Sequence, residues 1–256
     1  MTTTRDLYKY LDEKFPKTLS CEWDNDGLMC CADPEKAIKR VLITLDITNE
    51  AIEYALSCSF DAIISHHPLI FSGIKALNTD SGVSSRSIAL VKADICAMSF
   101  HTRLDAAVGG VNDALAERLG LHEVTAFETE GIAMGRIGKL EKPMQTHELA
   151  AFIKTRLGAP YVNYSGNSGE ISTLALLGGS GKDEIAIAAS LGADAYLSGE
   201  LGYHSLTDAV DSGIVLYEAG HYYTEFPVCE KLKAIISDAF PELYIEVIPS
   251  INIHTV

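Results

Sequence analysis

The chain has 256 residues, with 20 Lys and Arg against 35 Asp and Glu, giving a formal net charge of −15. Hydrophobic residues make up 47% and charged residues 21%, the composition of a globular chain long enough for one large domain or two smaller ones. The acidic balance, without clustered Lys or Arg, excludes broad nucleic-acid binding and attachment to an anionic membrane surface.

No apolar run approaches the ~20 residues of a membrane-spanning helix. The N-terminus, Met1-Thr2-Thr3-Thr4-Arg5-Asp6, has no apolar core of the signal-peptide kind. A cytoplasmic protein is expected. The cysteines Cys21, Cys30, Cys31, Cys58, Cys96 and Cys229 form no C-x-x-C pair, so neither a zinc knuckle nor a thioredoxin-like motif is readable. Cys58 and Cys96 lie in apolar segments and read as small buried hydrophobes.

In chain order, a buried strand is predicted over 41–45. A helix follows to 57, with Thr48 or Asn49 as its cap, then a strand over 61–65. Next come a helix over 83–92, a strand over 94–100 and a helix over 111–119 that stops at Gly120. Glycines between 131 and 138 open a second half. It reads as strand 136–140, helix 146–157 with a Thr cap, strand 161–164, loop 165–169, strand 172–177 and turn 178–181. Helix 182–191, strand 194–198, helix 204–210, strand 214–218, a long helix over 222–239 and strand 244–248 complete it. Alternating helices and continuously apolar strands imply an α/β fold with mostly parallel sheets covered on both faces.

The halves resemble each other. Residues 174–198 lie on 41–65 without a gap at an offset of 133, and Asp-Ala-x-x-Ser recurs at Asp61 and Asp194. At an offset of 120, His101 to Asp105 matches His221 to Glu225, both reading His-x-x-x-acid. The recurrence of that unit at the same structural stage strengthens the repeat.

His66-His67 closes a buried strand before Pro68, and His101 and His221 each follow a strand. Ligands collect beyond the carboxyl ends of strands in open α/β sheets. His221 and Glu225, at i and i+4, share one helix face and can share one ion. Neighbouring side chains in extended chain point apart, so His66 and His67 suit one each of two neighbouring ions. Imidazole with carboxylate and no thiolate suits Zn, Fe, Mn, Co or Ni. Two such ions can activate a water and clamp an oxyanion. His122, His147, His204 and His254 carry no such context and read as ordinary surface or hydrogen-bonded residues. Gly178-Gly179-Ser180-Gly181 lacks the order of a phosphate-binding loop and reads as a plain turn.

Taken together, Trp23-Asp24-Asn25-Asp26-Gly27-Leu28, Ser65-His66-His67-Pro68, His101-Thr102-Arg103-Leu104-Asp105, Gly109-Gly110-Val111-Asn112, Ser198-Gly199-Glu200 and Gly220-His221-Tyr222-Tyr223-Thr224-Glu225 resemble the family of GTP cyclohydrolase 1 type 2 homologs, the Nif3-like dinuclear-metal proteins. The resemblance runs from about Leu7 to Ile251 and implies the short form. It implies two similar, intertwined α/β lobes, 1–127 with 219–256 and 128–218, a metal site between them and a homohexamer. It carries the metal ligands onto His66, His67, Asp105, His221 and Glu225, for two divalent transition-metal ions per chain. Arg103 stands where the family commonly has Asn, and Leu28-Met29-Cys30 departs from the usual ending of the first motif.

The expected function is a metal-dependent hydrolase acting on a small molecule. His101 is expected to orient a ligand or shuttle a proton, or to bind metal itself. Arg103 is expected to hold an anionic group of the substrate. The alternatives are a non-catalytic metal-binding or interaction protein and a metal-dependent phosphoesterase. The family name suggests GTP ring opening, but a family label does not fix a substrate.

Overall fold

Thr3 starts the first helix. Its hydroxyl accepts from the Asp6 amide at 3.1 Å while the Asp6 carboxylate accepts from the Thr3 amide at 2.9 Å, a capping box that satisfies two otherwise unpaired donors. Leu7 and Leu11 of this helix, α1 (Thr4–Lys14), are fully buried. The computed structural model describes residues 1–129, 131–166, 169–251 and 253. Residues 167 and 168 of the expected loop, and His254, lie outside the described residues.

After α1 come β1 (Gly27–Cys30), β2 (Arg40–Thr44), α2 (Asn49–Ser57), β3 (Ala62–Ser65), α3 (Gly82–Ala93), β4 (Cys96–Ser99) and α4 (Thr102–Ala106). The chain continues through α5 (Val111–Leu119), β5 (His122–Thr129), β6 (Ile132–Gln145), α6 (Thr146–Leu157), β7 (Asn163–Ser165) and β8 (Glu170–Ser180). It ends with α7 (Ile185–Ser190), β9 (Ala195–Glu200), α8 (Tyr203–Ser212), β10 (Val215–Glu218), α9 (His221–Glu225), α10 (Pro227–Ala239) and β11 (Tyr244–Val247).

Two units result among the described residues, 1–104 with 229–251, and 105–228. The units divide at 104 and 228 in place of the expected 127 and 219, because β5 belongs to the second sheet and α5 and α9 pack against that sheet. Leu115, Ala116 and Leu119 of α5 join Leu174, Leu176, Ala195 and Leu197 in one core, and β5 pairs with β6.

The first unit holds a sheet of order β1-β4-β3-β2-β11 among the described residues. Its four strands β11, β2, β3 and β4 run parallel, and β1 closes the edge antiparallel. Leu42, Ile63 and Ala97 point to one face and pack with Ile52 and Ala55 of α2 and Leu90 of α3. Both faces are covered, which is why these strands read as continuous apolar runs. The second unit holds a sheet of order β5-β6-β8-β9-β10-β7, with β8, β9 and β10 parallel.

The internal repeat is visible in register. Val41 pairs with Ala62 and Thr44 with Ser65 in the first sheet; Leu174 pairs with Ala195 and Leu177 with Ser198 in the second.

Several expectations need correction. Thr146 is not the cap of α6; Gln145 is, in a capping box with Glu148. The stretch 178–181 is not a turn, since β8 runs on to Ser180. The helix expected over 182–191 is a 3₁₀ turn followed by α7. The long helix over 222–239 is two helices, with α10 starting at Pro227, because proline is favoured at a first helical position and poorly tolerated inside. Cys96 is not a free apolar cysteine: it is disulfide-bonded to Cys31, with Cα atoms 4.3 Å apart. A register shift in β1 between Leu28 and Cys30 sets Cys30 opposite Ala97 and brings the next residue to Cys96. Among the described residues no helix is long and apolar enough to cross a membrane.

Candidate metal centre

In the first unit, β3 and β4 are parallel neighbours in register, Ser65 opposite Ser99. The residues that follow them therefore emerge at one edge, His66 and His67 after β3 and His101 after β4. Their ring centroids lie 4.9 Å (His66–His67), 5.2 Å (His66–His101) and 5.7 Å (His67–His101) apart. Each offers a donor atom within 4.8 Å of the others, and His66 is fully buried. The premise that His66 and His67 point apart fails, because the chain leaves the extended conformation at Ser65 and bends through both residues. The Ser65 hydroxyl donates to the His67 carbonyl at 2.7 Å and holds that bend.

The three imidazoles share a second property. Nδ1 of His66 is 3.0 Å from the Phe100 carbonyl, Nδ1 of His67 is 2.8 Å from Asp46 Oδ1, and Nδ1 of His101 is 2.9 Å from Asp24 Oδ1. A carbonyl and two carboxylates only accept, so each Nδ1 donates. The neutral ring then carries its lone pair on Nε2, the arrangement found behind metal-bound histidines.

The Asp24 side chain is fully buried. Burial alone raises its pKa, but hydrogen bonds from His101 and from the Thr102 hydroxyl and amide outweigh it and hold the carboxyl well below the usual range. Asp24 is thus a fixed anion behind His101. Asp24 and Asp46 were not singled out as partners in the sequence. The Trp23–Leu28 motif contains Asp24, but nothing in the sequence pairs it with His101 or Asp46 with His67.

Arg103 does not meet a substrate anion. It is fully buried, with Nε and Nη2 donating to Asp26 at 2.9 Å each, and Nη1 donating to Asp12 at 2.6 Å and to the Phe15 carbonyl at 3.0 Å. All three nitrogens are engaged within the fold. Burial works against its charge, but the carboxylates of Asp26 and Asp12 push its pKa upward. Asp26 also accepts from the His101 amide at 3.2 Å. Arg103 therefore braces the loop that carries the histidine.

In the second unit, His221 opens α9 and Glu225 closes it. His221 Nε2 lies 3.1 Å from Glu225 Oε1, and Nδ1 lies 3.5 Å from Glu200 Oε1. The i, i+4 pair thus aims two donors at one point. Glycines let α9 approach β8 and β9. A Cβ on Gly179, whose φ is +70°, would lie 2.2 Å from Glu225 Oε1; one on Gly199 would lie 2.5 Å from the Gly179 carbonyl and 2.7 Å from His221 Cα. Asp105 lies at the start of this unit, where Asn112 Nδ2 donates to its carbonyl at 3.2 Å and Asn112 Oδ1 accepts from the Gly178 amide at 2.7 Å.

A mixed α/β fold whose two sheets each have a core of parallel strands, with imidazoles gathered at a strand edge and a histidine–glutamate pair on a short helix, defines a class of candidate metal-binding proteins. The chain matches the Duf34/NIF3 (NGG1p interacting factor 3) family over residues 2–254 and belongs to it. It is 33% identical over 238 residues to a GTP cyclohydrolase 1 type 2 homolog of Clostridium perfringens, covering 91% of this chain and 90% of that one. It is 33% identical over 250 residues to a NIF3 homolog of Schizosaccharomyces pombe, covering 89% and 88%. Among solved structures, a hypothetical protein of Staphylococcus aureus superposes with a TM-score of 0.90 at 27% identity, covering 99% of both chains. Reduced HcgD from Methanocaldococcus jannaschii gives 0.82 at 29% identity, covering 96% of this chain and 97% of that one.

Proposed function

We propose that this protein is a metal-dependent hydrolase of a small molecule, with His66, His67, Asp105, His221 and Glu225 as ligands to two divalent transition-metal ions. The observation that carries the reading is the set of three clustered imidazoles whose Nδ1 atoms are all committed to oxygen acceptors. Such a set, with carboxylates and no thiolate, fits Zn, Fe, Mn, Co or Ni. Bound ions supply Lewis-acid polarisation and an acidified water.

The chain's own residues do the rest. Asp46 and Asp24 accept from Nδ1 of His67 and His101 and orient both rings. His101, backed by the buried Asp24 carboxylate, takes up a proton at Nε2 and returns it. The phosphoesterase reading loses its support, because the Arg103 guanidinium is committed inside the fold. A homohexamer, on the family resemblance, and a cytoplasmic location complete the proposal.

The test is elemental analysis of protein purified without chelator, followed by a metal-loaded activity screen over nucleotides, phosphoesters and amides. About two ions per chain and a turnover lost in His66→Ala support the reading. Absence of metal, with no uptake on titration, ends it. Full metal content with no turnover of any substrate class favours the non-catalytic alternative.

A further inference from the structure

Trp23 and Phe71 are large apolar side chains left in water, at 60% and 52% exposure. Single exposed aromatics are ordinary. These two are unusual because they touch each other and the same histidine. The centroid distances are 6.0 Å for Trp23–Phe71, 6.1 Å for Trp23–His101 and 6.2 Å for Phe71–His101.

The loops that carry them are tied down. Asn25 Nδ2 donates to the Ile70 carbonyl at 2.5 Å, joining one loop to the other. The Cys21 amide donates to the Thr102 hydroxyl at 2.9 Å, and Asp24 is anchored on His101 and Thr102. The two rings are therefore presented at a set position beside the imidazole cluster. Phe71 and His67 also line one cavity of about 680 Å³ in the same unit, with Lys75 and Arg86 further along its wall. That volume lies in the range of small-molecule sites.

We infer that Trp23 and Phe71 form a stacking platform for a planar heteroaromatic ring of nucleobase size, held beside the Nε2 side of His66, His67 and His101. The rings of Trp23 and Phe71 are inclined at 57° and only 6.0 Å apart, so a ligand ring lies on their outer faces and is not sandwiched between them. Ring stacking is tolerant of sequence of atoms in the ligand and rewards area, so the platform selects for a flat bicyclic or monocyclic heterocycle. This names the substrate's shape and rests on the hydrolase reading for the word substrate; binding itself is measurable without turnover.

Trp23 is the single tryptophan of the chain, so fluorescence excited on the red edge of the indole band, where tyrosine does not absorb, reports this site alone. The full-length protein is titrated with guanosine and, as a control without a ring system, ribose. Saturable quenching by guanosine and none by ribose is expected. Phe71→Ala, with its fold checked by circular dichroism, should bind guanosine about 5- to 100-fold more weakly, the range for loss of one stacking partner. Wild-type protein stripped of metal by a chelator should keep the quenching, which separates failure of the metal reading from failure of this one. Absence of saturable quenching, or unchanged affinity in Phe71→Ala, overturns the platform. So does shielding of Trp23 from iodide in assembled protein, which would mean that a second copy covers the rings.

Discussion

Asp61 and Asp194 make the same contacts in two different sheets. Asp61 Oδ2 accepts from the backbone amides of Lys39 at 2.7 Å and Arg40 at 3.0 Å. Asp194 Oδ2 accepts from those of Ser172 at 2.9 Å and Thr173 at 2.8 Å. Each carboxylate satisfies the amides entering one parallel strand from the start of the next. Hydrogen bonds to a charged group contribute about 1.5–3 kcal/mol each. Asp61→Ala and Asp194→Ala should each destabilise by about 2–3 kcal/mol in urea unfolding. Asn in either place should cost less, since one carboxamide oxygen accepts both bonds.

Arg103 and Asp26 form a buried ion pair. Removing one partner of such a pair typically costs about 3–5 kcal/mol. Arg103→Met should therefore lower the unfolding midpoint sharply. A variant with native stability and a raised KM would restore Arg103 as a substrate contact.

The same pair sets an acid limit. Burial raises the Asp26 carboxyl, but hydrogen bonds from Arg103 and Lys17 outweigh it and leave it below its ordinary 3.8. A depressed carboxylate contributes stability that is fully present above its unfolded value and is lost as pH falls through its folded value. Wild-type stability from this group should hold from neutral pH to about pH 5, then fall through the range below 3.8. Asp26→Asn should be less stable at neutral pH and should lack that portion of the acid slope. Parallel slopes in both proteins would remove Asp26 from the account.

Gly179→Ala should damage the His221–Glu225 pair. The new Cβ would lie 2.2 Å from Glu225 Oε1 on a backbone with φ of +70°. Gly192 has φ of +80° with nothing within 4 Å of its Cβ position, so Gly192→Ala carries the backbone strain alone. Both should destabilise by about 1–2 kcal/mol. Only Gly179→Ala should also weaken metal uptake, read by titration calorimetry.

Thiol titration in denaturant should find four thiols outside the disulfide, those of Cys21, Cys30, Cys58 and Cys229. Reduction should release two more from Cys31 and Cys96. The bond spans a sequence separation of 65 residues, so Cys31→Ser should cost about 4 kcal/mol through loop entropy. Six thiols without reductant would mean that the pair is reduced in the isolated protein. Disulfides are uncommon in the cytosol, so this count also bears on the proposed location.

Local signals carried much of the fold. Helices α5 and α6 have the expected limits, and Gly120 and Gly158 end them in the left-handed conformation as C-terminal glycines do. The offset of 133 reproduces strand pairing residue for residue. The second offset was one residue out. Phe100 donates its amide to Ser65 and Ala219 to Ser198, and α4 and α9 begin at Thr102 and His221, so strands and helices both correspond at 119 and Gly220 stands where the first half has His101. Helix α1 was legible in its capping box and its Leu7–Leu11 spacing but was passed over. Strand β5 was not legible, because it is mostly exposed and has no alternation. Positions of His66, His67 and His101 followed from strand ends, whereas their partners Asp46 and Asp24 come from other loops, and no local pattern joins them. Arg103 misled because charge suggested an exposed contact, while its carboxylate partners lie far off in sequence.

The pairing of β11 with β2 sets a schedule for the nascent chain. Arg40 pairs with Tyr244 and Ile43 with Val247, partners about 200 residues apart in sequence. Residues 105–228 form a contiguous unit, able to fold once they leave the ribosome. The β2 edge has no partner until the last stretch is translated, and contacts of such separation form slowly. Until then an apolar strand, flanked by a chain already carrying its histidines, stands open to pairing with another molecule. Truncation between 228 and 244 should thus yield an aggregation-prone first unit beside a complete second one.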